Sequence, residues 1–303
     1  AVTGVQTCAL PILTADGANG YNGNAPVGPA GGFKNIDSIT AADPSTLDAS
    51  ALAGANAWTV NAADAGSLSN GGHNLGFTNF GSLIGGAGND SFAFSLTGAL
   101  SGSVNGGGGV NTLDYSGEAG AVAVTLTGAN AGTATGVAGG FSNIEKLTGN
   151  DSGATANTTL TGDGLGDLFS ITGGNSGTVS YAGGGATLTF TQVGNLAGAT
   201  GNNSFAFNAA GSLTGSLNGG TGSNTLDYSG AGARIVAVVL TGATGANADG
   251  TATGIASGFT NISTLVGDDV GATANTTLTG DGTGDTFTIT GGNAGHVAYN
   301  TGG

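Results

Sequence analysis

The chain has 303 residues, of which 65 are glycine and only 7% are charged, yet its net charge is −15 because Lys and Arg together number 3. A disordered acidic tail would carry more charge and fewer apolar residues. Collagen needs a Gly-X-Y period that is missing here, and a nucleic-acid surface needs clustered basic residues. No apolar run approaches the roughly 20 residues of a membrane-spanning helix.

The N-terminal segment stands apart from the rest of the sequence. Residues 2–12 read VTGVQTCALPI, which resembles the translation of a sequencing-adapter oligonucleotide. We therefore predict that residues 1–12 are not part of the natural protein. The only cysteine, Cys8, falls inside them, so disulfide and thiol chemistry are not expected in the remainder.

A long repeat follows. Ser91–Phe94 recurs as Ser204–Phe207 at a shift of 113 (204 − 91), and Ala154–Gly164 recurs as Ala272–Gly282 at a shift of 118 (272 − 154). The five extra residues fall around residues 234–250, where we predict a loop insertion. The predicted divisions are a partial unit at 13–79, a unit at 80–192 and a unit truncated at the C-terminus at 193–303.

The predicted elements are short β-strands. Val122, Val124 and Leu126 alternate with small or polar residues, which places them on one face of a strand. The segments 187–191 and 285–290 alternate in the same way, so Leu188, Phe190, Phe287 and Ile289 are expected to face a core. No helical period persists over 12 residues. Gly, Asn, Asp and Ser separate the strands every 10–15 residues.

This pattern predicts an all-β fold, a parallel β-solenoid (β-helix) built from tandem repeats. The alternative is a series of tandem β-sandwich domains, since a period near 115 residues suits such a domain. Against it stand the glycine content and the similarity between short segments inside one unit. Asn35, Asn143 and Asn261 each precede an apolar residue, and we expect them to form hydrogen bonds at turns.

One segment matches the calcium repeat G-G-x-G-x-D-x-U-x throughout, namely Gly85–Ala93. In such a repeat, Gly86 and Gly88 expose backbone carbonyls, and Asp90 supplies a carboxylate to Ca²⁺. The corresponding positions elsewhere carry Asn111, Asn203 and Asn224. An amide brings no charge, so calcium affinity should fall there. The alternative is that these are turns stabilised by amide hydrogen bonds.

A second acidic pattern repeats, with Asp163 and Asp167 matched by Asp281 and Asp285. Carboxylates beside glycine turns could form a weak calcium site, and Asx-turn chemistry at strand ends is the alternative. Asp163 and Asp167 could also serve acid–base catalysis in a polysaccharide-active β-helix. The basic and aromatic groove residues of such enzymes are nearly absent, and we predict that the chain is not an enzyme.

The remaining candidates have simpler interpretations. His73 and His296 occupy unrelated repeat positions, and we interpret both as surface turn residues. Trp58 aligns with Phe169 and is expected in the core. Three threonine rows on alternating strands suggest a solenoid face that binds ice, as a second functional hypothesis; they are Thr125/Thr127, Thr187/Thr189/Thr191 and Thr286/Thr288/Thr290.

The segments GGAGNDSFAF, GGTGSNTLDYSG and GFSNIEKLTG resemble the large repetitive exoproteins of Gram-negative bacteria, both filamentous-haemagglutinin-like and haemolysin-type calcium-repeat adhesins. The resemblance covers most of residues 30–303. It implies a secreted or cell-surface bacterial protein, a stalk stiffened by Ca²⁺, and a role in adhesion or biofilm formation. Its implied partners are neighbouring repeats of the same chain and a host or biofilm surface, with no nucleic acid and no membrane insertion. The replacement of Asp by Asn weakens the calcium expectation.

Overall fold

The structure is a computed structural model, and it describes residues 5–7, 11–24, 32–95, 97–153, 155–184, 186–245, 247–269, 274–291 and 293–299. Within these ranges the fold is all-β and contains no helix. The chain divides into two compact units, Ala1–Asn150 and Asp151–Gly303. Cys8 and most of the N-terminal segment that resembles an adapter lie outside the described residues, and the repeat boundaries at 79 and 192 remain a prediction.

The strands of the first unit are β1 Val5–Thr7, β2 Ile12–Gly17, β3 Gly20–Asn24, β4 Phe33–Ile36, β5 Ser38–Asp48, β6 Ala57–Ala62, β7 Ala65–Asn70, β8 His73–Ile84, β9 Ser91–Ser95, β10 Val104–Asn105, β11 Thr112–Gly117, β12 Val122–Gly128, β13 Ala131–Ala134, β14 Val137–Ser142 and β15 Lys146–Thr148.

The strands of the second unit are β16 Thr158–Thr161, β17 Leu168–Gly173, β18 Ser176–Ser180, β19 Thr187–Thr191, β20 Asn195–Ala197, β21 Ser204–Phe207, β22 Leu217–Asn218, β23 Thr225–Asp227, β24 Val236–Thr244, β25 Asn247–Ala252, β26 Ile255–Ile262, β27 Thr264–Val266, β28 Thr276–Thr279, β29 Thr286–Gly291 and β30 Ala294–Ala298.

Parallel pairing forms two columns of strands in the first unit. One column runs β5–β8–β10–β14, and the other runs β6–β9–β11–β15. In the second column Trp58, Phe92, Leu113 and Leu147 are partners in register from strand to strand. The alternation of each strand therefore places one apolar residue per strand in a continuous row.

The second unit repeats this arrangement. One column runs β16–β20–β22–β26, and the other runs β17–β21–β23–β27. Phe169, Phe205, Leu226 and Leu265 form the row that corresponds to the one beginning at Trp58. The long repeat found in the sequence is thus a repeat of paired strands.

Antiparallel meanders, which the sequence pattern did not predict, interrupt the parallel columns. The meanders are β2–β3–β4, β6–β7–β8, β12–β13–β14, β17–β18–β19 and β24–β25–β26. Each meander adds an antiparallel hairpin to the path of the chain between two parallel strands. The predicted loop insertion belongs to such a hairpin, because β24 and β25 have 9 and 6 residues where β12 and β13 have 7 and 4.

Stacked aromatic rings fill the core of both units. The ring centroids of Phe94 and Tyr115 are 5.4 Å apart, and those of the corresponding Phe207 and Tyr228 are 5.2 Å apart. Trp58 is 1% exposed and stacks on Phe92, which confirms its predicted place in the core. Such offset contacts add roughly 0.5–1.5 kcal/mol per pair beyond the burial of area.

Each meander places a phenylalanine over a glycine on the neighbouring strand. The five pairs, Gly23–Phe33, Gly66–Phe77, Gly132–Phe141, Gly177–Phe190 and Gly250–Phe259, are partners in register. A Cβ on any of these glycines would lie within 3.0 Å of the ring Cζ. The phenylalanine ring and a backbone carbonyl oxygen together occupy the space that a side chain would take, and this recurrent contact accounts for part of the glycine content.

The residue two positions after each of these phenylalanines adopts a left-handed backbone conformation; it is Gln192 after Phe190 and asparagine after the other four. The φ angles of Asn35, Asn79, Asn143 and Asn261 lie between 54° and 62°, a region in which asparagine is several-fold enriched. The Asn143 side chain donates to Asn105 Oδ1 at 2.8 Å, and the Asn261 side chain donates to Asn218 Oδ1 at 2.9 Å. The predicted turn position is confirmed for Asn143, which lies in a bend, whereas Asn35 and Asn261 lie within β4 and β26.

Burial confirms most of the predicted strand faces and contradicts one. Val122, Val124, Leu126, Leu188 and Phe190 are at most 2% exposed, as expected. Phe287 and Ile289 are 47% and 82% exposed, so their prediction as core residues was wrong. Their counterparts Phe169 and Ile171 lie on β17, which pairs in parallel with β21. Among the described residues, β29 has no such parallel partner and pairs with β30.

The Gly132–Phe141 pair gives a first prediction. Gly132→Ala should lower the free energy of unfolding by about 1–3 kcal/mol, because its Cβ would overlap Thr125 O and lie 2.8 Å from Phe141 Cζ. Urea unfolding followed by circular dichroism measures the change. Gly120→Ala is the control, since no atom lies within 4 Å of a Cβ there, and it should change stability by less than about 0.5 kcal/mol. Equal effects of the two substitutions would contradict the proposed contact.

Candidate functional site

The segment that matches the calcium repeat forms the turn between β8 and β9. Asp90 is 1% exposed, so its carboxylate lies inside the turn. Its Oδ1 accepts a hydrogen bond from Asn56 N at 2.6 Å, and its Oδ2 accepts one from Gly86 N at 2.5 Å. Each oxygen of this buried carboxylate therefore already accepts one backbone N–H group.

The same turn takes part in a ladder of polar side chains. Asp90 N donates to Asn111 Oδ1 at 2.9 Å, and Asn111 N donates to Glu145 Oε2 at 2.7 Å. With the Asn56–Asp90 contact, the steps along the chain are 34, 21 and 34 residues. In each of these hydrogen bonds, a backbone N–H group of one turn donates to a side-chain oxygen of the next turn. We call the set Asn56, Asp90, Asn111 and Glu145 the first polar ladder.

A second polar ladder, Asp167, Asn203, Asn224 and Ser263, lies in the second unit. Asp167 N donates to Asn203 Oδ1 and Asn203 N donates to Asn224 Oδ1, both at 2.9 Å. Asn224 N then donates to Ser263 Oγ at 3.2 Å. The steps are 36, 21 and 39 residues. In both ladders, a backbone N–H group donates to a side-chain oxygen 21 to 39 residues further along the chain, although the residue types differ.

The ladder explains why asparagine replaces aspartate in most turns. Asn111 Nδ2 donates to the carbonyl oxygens of Gly108 and Asn143, at 3.2 and 2.9 Å. Asn224 Nδ2 makes the corresponding contacts with Gly220 and Asn261. An amide thus satisfies a backbone donor through its oxygen and backbone acceptors through its nitrogen. Asparagine has a structural role here that aspartate could not fill while ionised.

The two glycines of the motif lie where backbones approach closely. A Cβ on Gly88 would overlap the carbonyl group of Gly54, and a Cβ on Gly86 would lie 2.9 Å from Leu52 O. Gly86 O also accepts a hydrogen bond from Gly108 N at 2.8 Å. Both glycines are therefore required for the stacking of backbone on backbone, whether or not their carbonyls bind an ion.

The second acidic pattern consists of two turns with the same contacts. Asp163 N donates to Asp167 Oδ2 at 2.8 Å, and Asp163 Oδ1 accepts from Leu165 N at 2.8 Å. Asp281 N donates to Asp285 Oδ2 at 2.7 Å, and Asp281 Oδ1 accepts from Thr283 N at 2.8 Å. These contacts are Asx turns that close each loop.

Two carboxylate oxygens in these turns are buried without a hydrogen-bond partner, Asp167 Oδ1 and Asp285 Oδ1. Burial raises the pKa of Asp167 to about 6, and the hydrogen bond from Asp163 N opposes that shift. Burial also raises the pKa of Asp90, against the effect of the two amides that it accepts. The pKa of Asp281 is lowered, first by the hydrogen bond from the Thr283 hydroxyl.

The described residues contain no group of three or more His, Cys, Asp or Glu side chains placed to hold a metal ion. The aspartates are instead spread over separate turns. Asp151, which precedes the pair Asp163 and Asp167, likewise accepts hydrogen bonds from backbone amides, among them Thr158 N and Gly194 N. Every predicted metal ligand with a carboxylate thus accepts at least one backbone N–H group.

The two histidines differ in their surroundings. His73 Nδ1 lies 2.7 Å from Asp16 Oδ1, and both side chains are partly exposed. His296 lies on β30 and is exposed. Both histidines therefore lie on strands, and their prediction as turn residues was wrong. Thr125, Thr127 and the three threonines of β19 are also exposed, as their strand pattern predicts.

No model of a known protein family matches this chain, and neither the curated proteins nor the solved structures compared with it contain a match. Within the described ranges no helix is both long and apolar enough to cross a membrane.

Asn111 yields a second prediction. Asn111→Asp should destabilise the fold by about 3–5 kcal/mol at neutral pH, because an unpaired charge would be buried against two carbonyl oxygens. The loss should shrink at a pH low enough to protonate the new carboxyl. Urea unfolding at pH 4 and pH 7 tests both statements. Asn89→Asp is the control, since exposed Asn89 only accepts from Val110 N, and its effect should stay within about 0.5 kcal/mol.

Asp167 yields a third prediction. Its pKa in the folded chain is about 6, above the ordinary 3.8, so the stability that it contributes is complete below pH 3.8 and is lost as pH rises through 6. Asp167→Asn removes the charge and should therefore be more stable than the unmodified chain at pH 7. The difference should approach a constant, smaller value near pH 4. A difference in unfolding midpoint that does not vary with pH would contradict the assignment.

Proposed function

We propose that this chain is a β-solenoid segment whose role is structural, as the stalk of a secreted or cell-surface bacterial adhesin. The observation that carries the proposal is the pair of polar ladders. In both units, side-chain oxygens of one turn accept hydrogen bonds from the backbone of the neighbouring turn. These polar groups thus serve the architecture of the chain itself.

The arrangement of the acidic residues supports a role that is not enzymatic. An acid–base pair needs carboxyl groups that face a space open to a substrate. Asp167 is 1% exposed, and its Oδ2 accepts from the backbone of Asp163. The Asp163 Oδ1 atom accepts from Leu165 N. Both side chains are therefore occupied in closing a single turn.

The extracellular location and the partners are part of the same proposal and rest on the resemblance to bacterial exoproteins. An acidic chain with 3 basic residues suits repulsion between neighbouring stalks and gives no surface for nucleic acid. The partners we propose are neighbouring repeats of the same chain and, through other parts of the adhesin, a host or biofilm surface.

Calcium binding at Gly85–Ala93 and at the two acidic turns is the alternative role for the aspartates. The hydrogen bonds of Asp90 favour the structural role, because each of its oxygens already accepts a backbone amide. The buried, unpartnered Oδ1 atoms of Asp167 and Asp285 favour a cation or a proton at those turns. Stability in the presence of calcium separates these cases.

Calcium removal is the fourth prediction. If the turns are structural, the melting temperature of the purified chain should be the same in millimolar Ca²⁺ and in chelator. A bound ion at about 100 times its Kd would instead raise the free energy of unfolding by about 2.7 kcal/mol. Magnesium at equal ionic strength is the control for screening. A calcium-specific rise that disappears in Asp90→Asn would replace the structural role of this turn by ion binding.

Ice binding remains the second candidate function, because the outward threonines of β12 and β19 are exposed. It requires that the purified chain shape growing ice crystals. Hexagonal or faceted crystals that lose their form after Thr189→Tyr would favour ice binding over a stalk, and unshaped crystals would exclude it. Catalysis has a separate test. Release of sugar from bacterial or plant polysaccharides, abolished by Asp163→Asn, would contradict a role without catalysis.

A further inference from the structure

An open groove lies on the first unit, beside the parallel column β5–β8–β10–β14. Its volume is about 460 Å³, within the roughly 300–1,000 Å³ of small-molecule sites. Gly81, Gly102 and Pro44 form part of its lining, and none of the lining residues is charged. The others carry hydroxyl groups; they are Ser45, Thr46, Ser82 and Ser101.

The second unit repeats this groove and covers it with its own chain. Gly194 and Gly215 lie at the positions of the two groove glycines, at a shift of 113 (194 − 81). In each unit the second glycine donates its N–H group to the carbonyl oxygen of the first, at 2.8 and 3.1 Å. The Ala156 methyl group lies 2.8 Å from the position that a Cβ on Gly215 would take. A methyl group therefore packs on this glycine.

The covering segment is held by its carbonyl oxygens. Asn195 Nδ2 donates to Ala156 O at 2.9 Å, and Thr214 Oγ1 donates to Thr155 O at 2.6 Å. Asn195 is the counterpart of Ser82 in the first unit. The second unit thus shows what these positions bind, namely an amide carbonyl with an adjacent methyl group.

The first unit leaves the same place open. Ser82 is smaller than the asparagine at its counterpart position. The counterparts of the two carbonyl-bearing residues are Ala42 and Asp43, and both are exposed. This segment follows a different path, since residues 38–40 of β5 pair in parallel with residues 76–78 of β8. The groove of the first unit is therefore not closed by the segment that closes its counterpart.

The side chains around the groove favour an uncharged ligand with hydroxyl groups. Ser82 Oγ accepts from Ser103 N at 3.0 Å, which leaves its hydroxyl proton available to a ligand. Ser101 Oγ donates to Asp64 Oδ2 at 2.9 Å, so its lone pairs are available as acceptors. A carboxylate beside the groove and a net charge of −15 both disfavour an anion.

The floor of the groove does not favour a peptide strand as occupant. Gly102 N donates to Gly81 O at 2.8 Å, and Gly139 N donates to Gly102 O at 2.7 Å. Strand addition depends on a row of unpaired backbone groups, and these backbone groups are already paired with one another. Recognition therefore falls to the hydroxyl side chains and to the bare surface of the glycines.

We propose that this groove binds a neutral sugar that carries an acetamido group, such as N-acetylglucosamine. The acetamido methyl group packs on Gly102, as the Ala156 methyl group does on Gly215, and the acetamido carbonyl accepts from Ser82 Oγ. The ring hydroxyl groups exchange hydrogen bonds with the other hydroxyl side chains of the groove. This inference goes beyond the stalk function and does not depend on it.

Saturation-transfer NMR of N-acetylglucosamine with the full chain tests the site. We expect saturable binding, with the strongest transfer to the acetyl methyl protons. Glucose lacks the acetamido group and should bind more weakly by about tenfold or more. N-acetylalanine methylamide presents the same amide and methyl group without sugar hydroxyls. Absence of transfer, equal binding of glucose, or stronger binding of this peptide analogue would overturn the proposal.

A substitution in the chain locates the site. Ser82→Asn introduces the residue of the second unit, whose longer side chain takes the place of the acetamido carbonyl, and it should abolish binding. Asn195 occupies that position in the second unit, so the change suits the fold. Ser116→Asn is the matched control, since Ser116 is exposed and lies outside the groove, and it should leave binding unchanged. Unaltered binding by Ser82→Asn would contradict the assignment, and the comparison of sugars needs no variant.

Discussion

The fold depends on one recurrent interaction, the hydrogen bond from the backbone N–H of one turn to a buried side-chain oxygen of the next. A buried amide without a partner costs about 1–3 kcal/mol, and each turn buries such groups away from solvent. Asp90 and Asn111 satisfy them in the first polar ladder, and Asn203 and Asn224 do so in the second. Short polar side chains that reach the backbone are therefore required at these positions, whatever else the turn does.

This constraint explains the composition of the chain. Turns that exchange hydrogen bonds must lie close together, and at Gly86 and Gly88 neighbouring backbone leaves no room for a side chain. The Gly–Phe pairs, such as Gly132–Phe141, impose the same condition inside the meanders. High glycine content and low charge are thus two consequences of backbone packed on backbone, with apolar rows such as Trp58, Phe92 and Leu113 filling the space between strands.

Periodicity predicted the strands well, and it could not predict how they pair. Val122, Val124 and Leu126 face inward because alternation alone fixes the face of a strand. Parallel and antiparallel strands show the same alternation of apolar and polar residues, so this alternation could not predict the antiparallel meanders. The sequence predicted amide hydrogen bonds at Asn111 and Asn224 as the alternative to calcium binding, and it did not predict the ladder that joins them. Glu145 and Ser263 were missed, because the steps are irregular and these residue types differ from asparagine.

The aspartates show how a glycine–aspartate turn can resemble a calcium repeat for a different physical reason. A buried carboxylate at this position is neutralised by a proton, paired with a cation or stabilised by hydrogen bonds from backbone amides. The Asp90 carboxylate accepts hydrogen bonds from two backbone amides. Asp167 has one amide and a buried oxygen without a partner, which raises its pKa to about 6. Asparagine needs none of the three, so its repeated use reduces the dependence of these turns on ions and on pH.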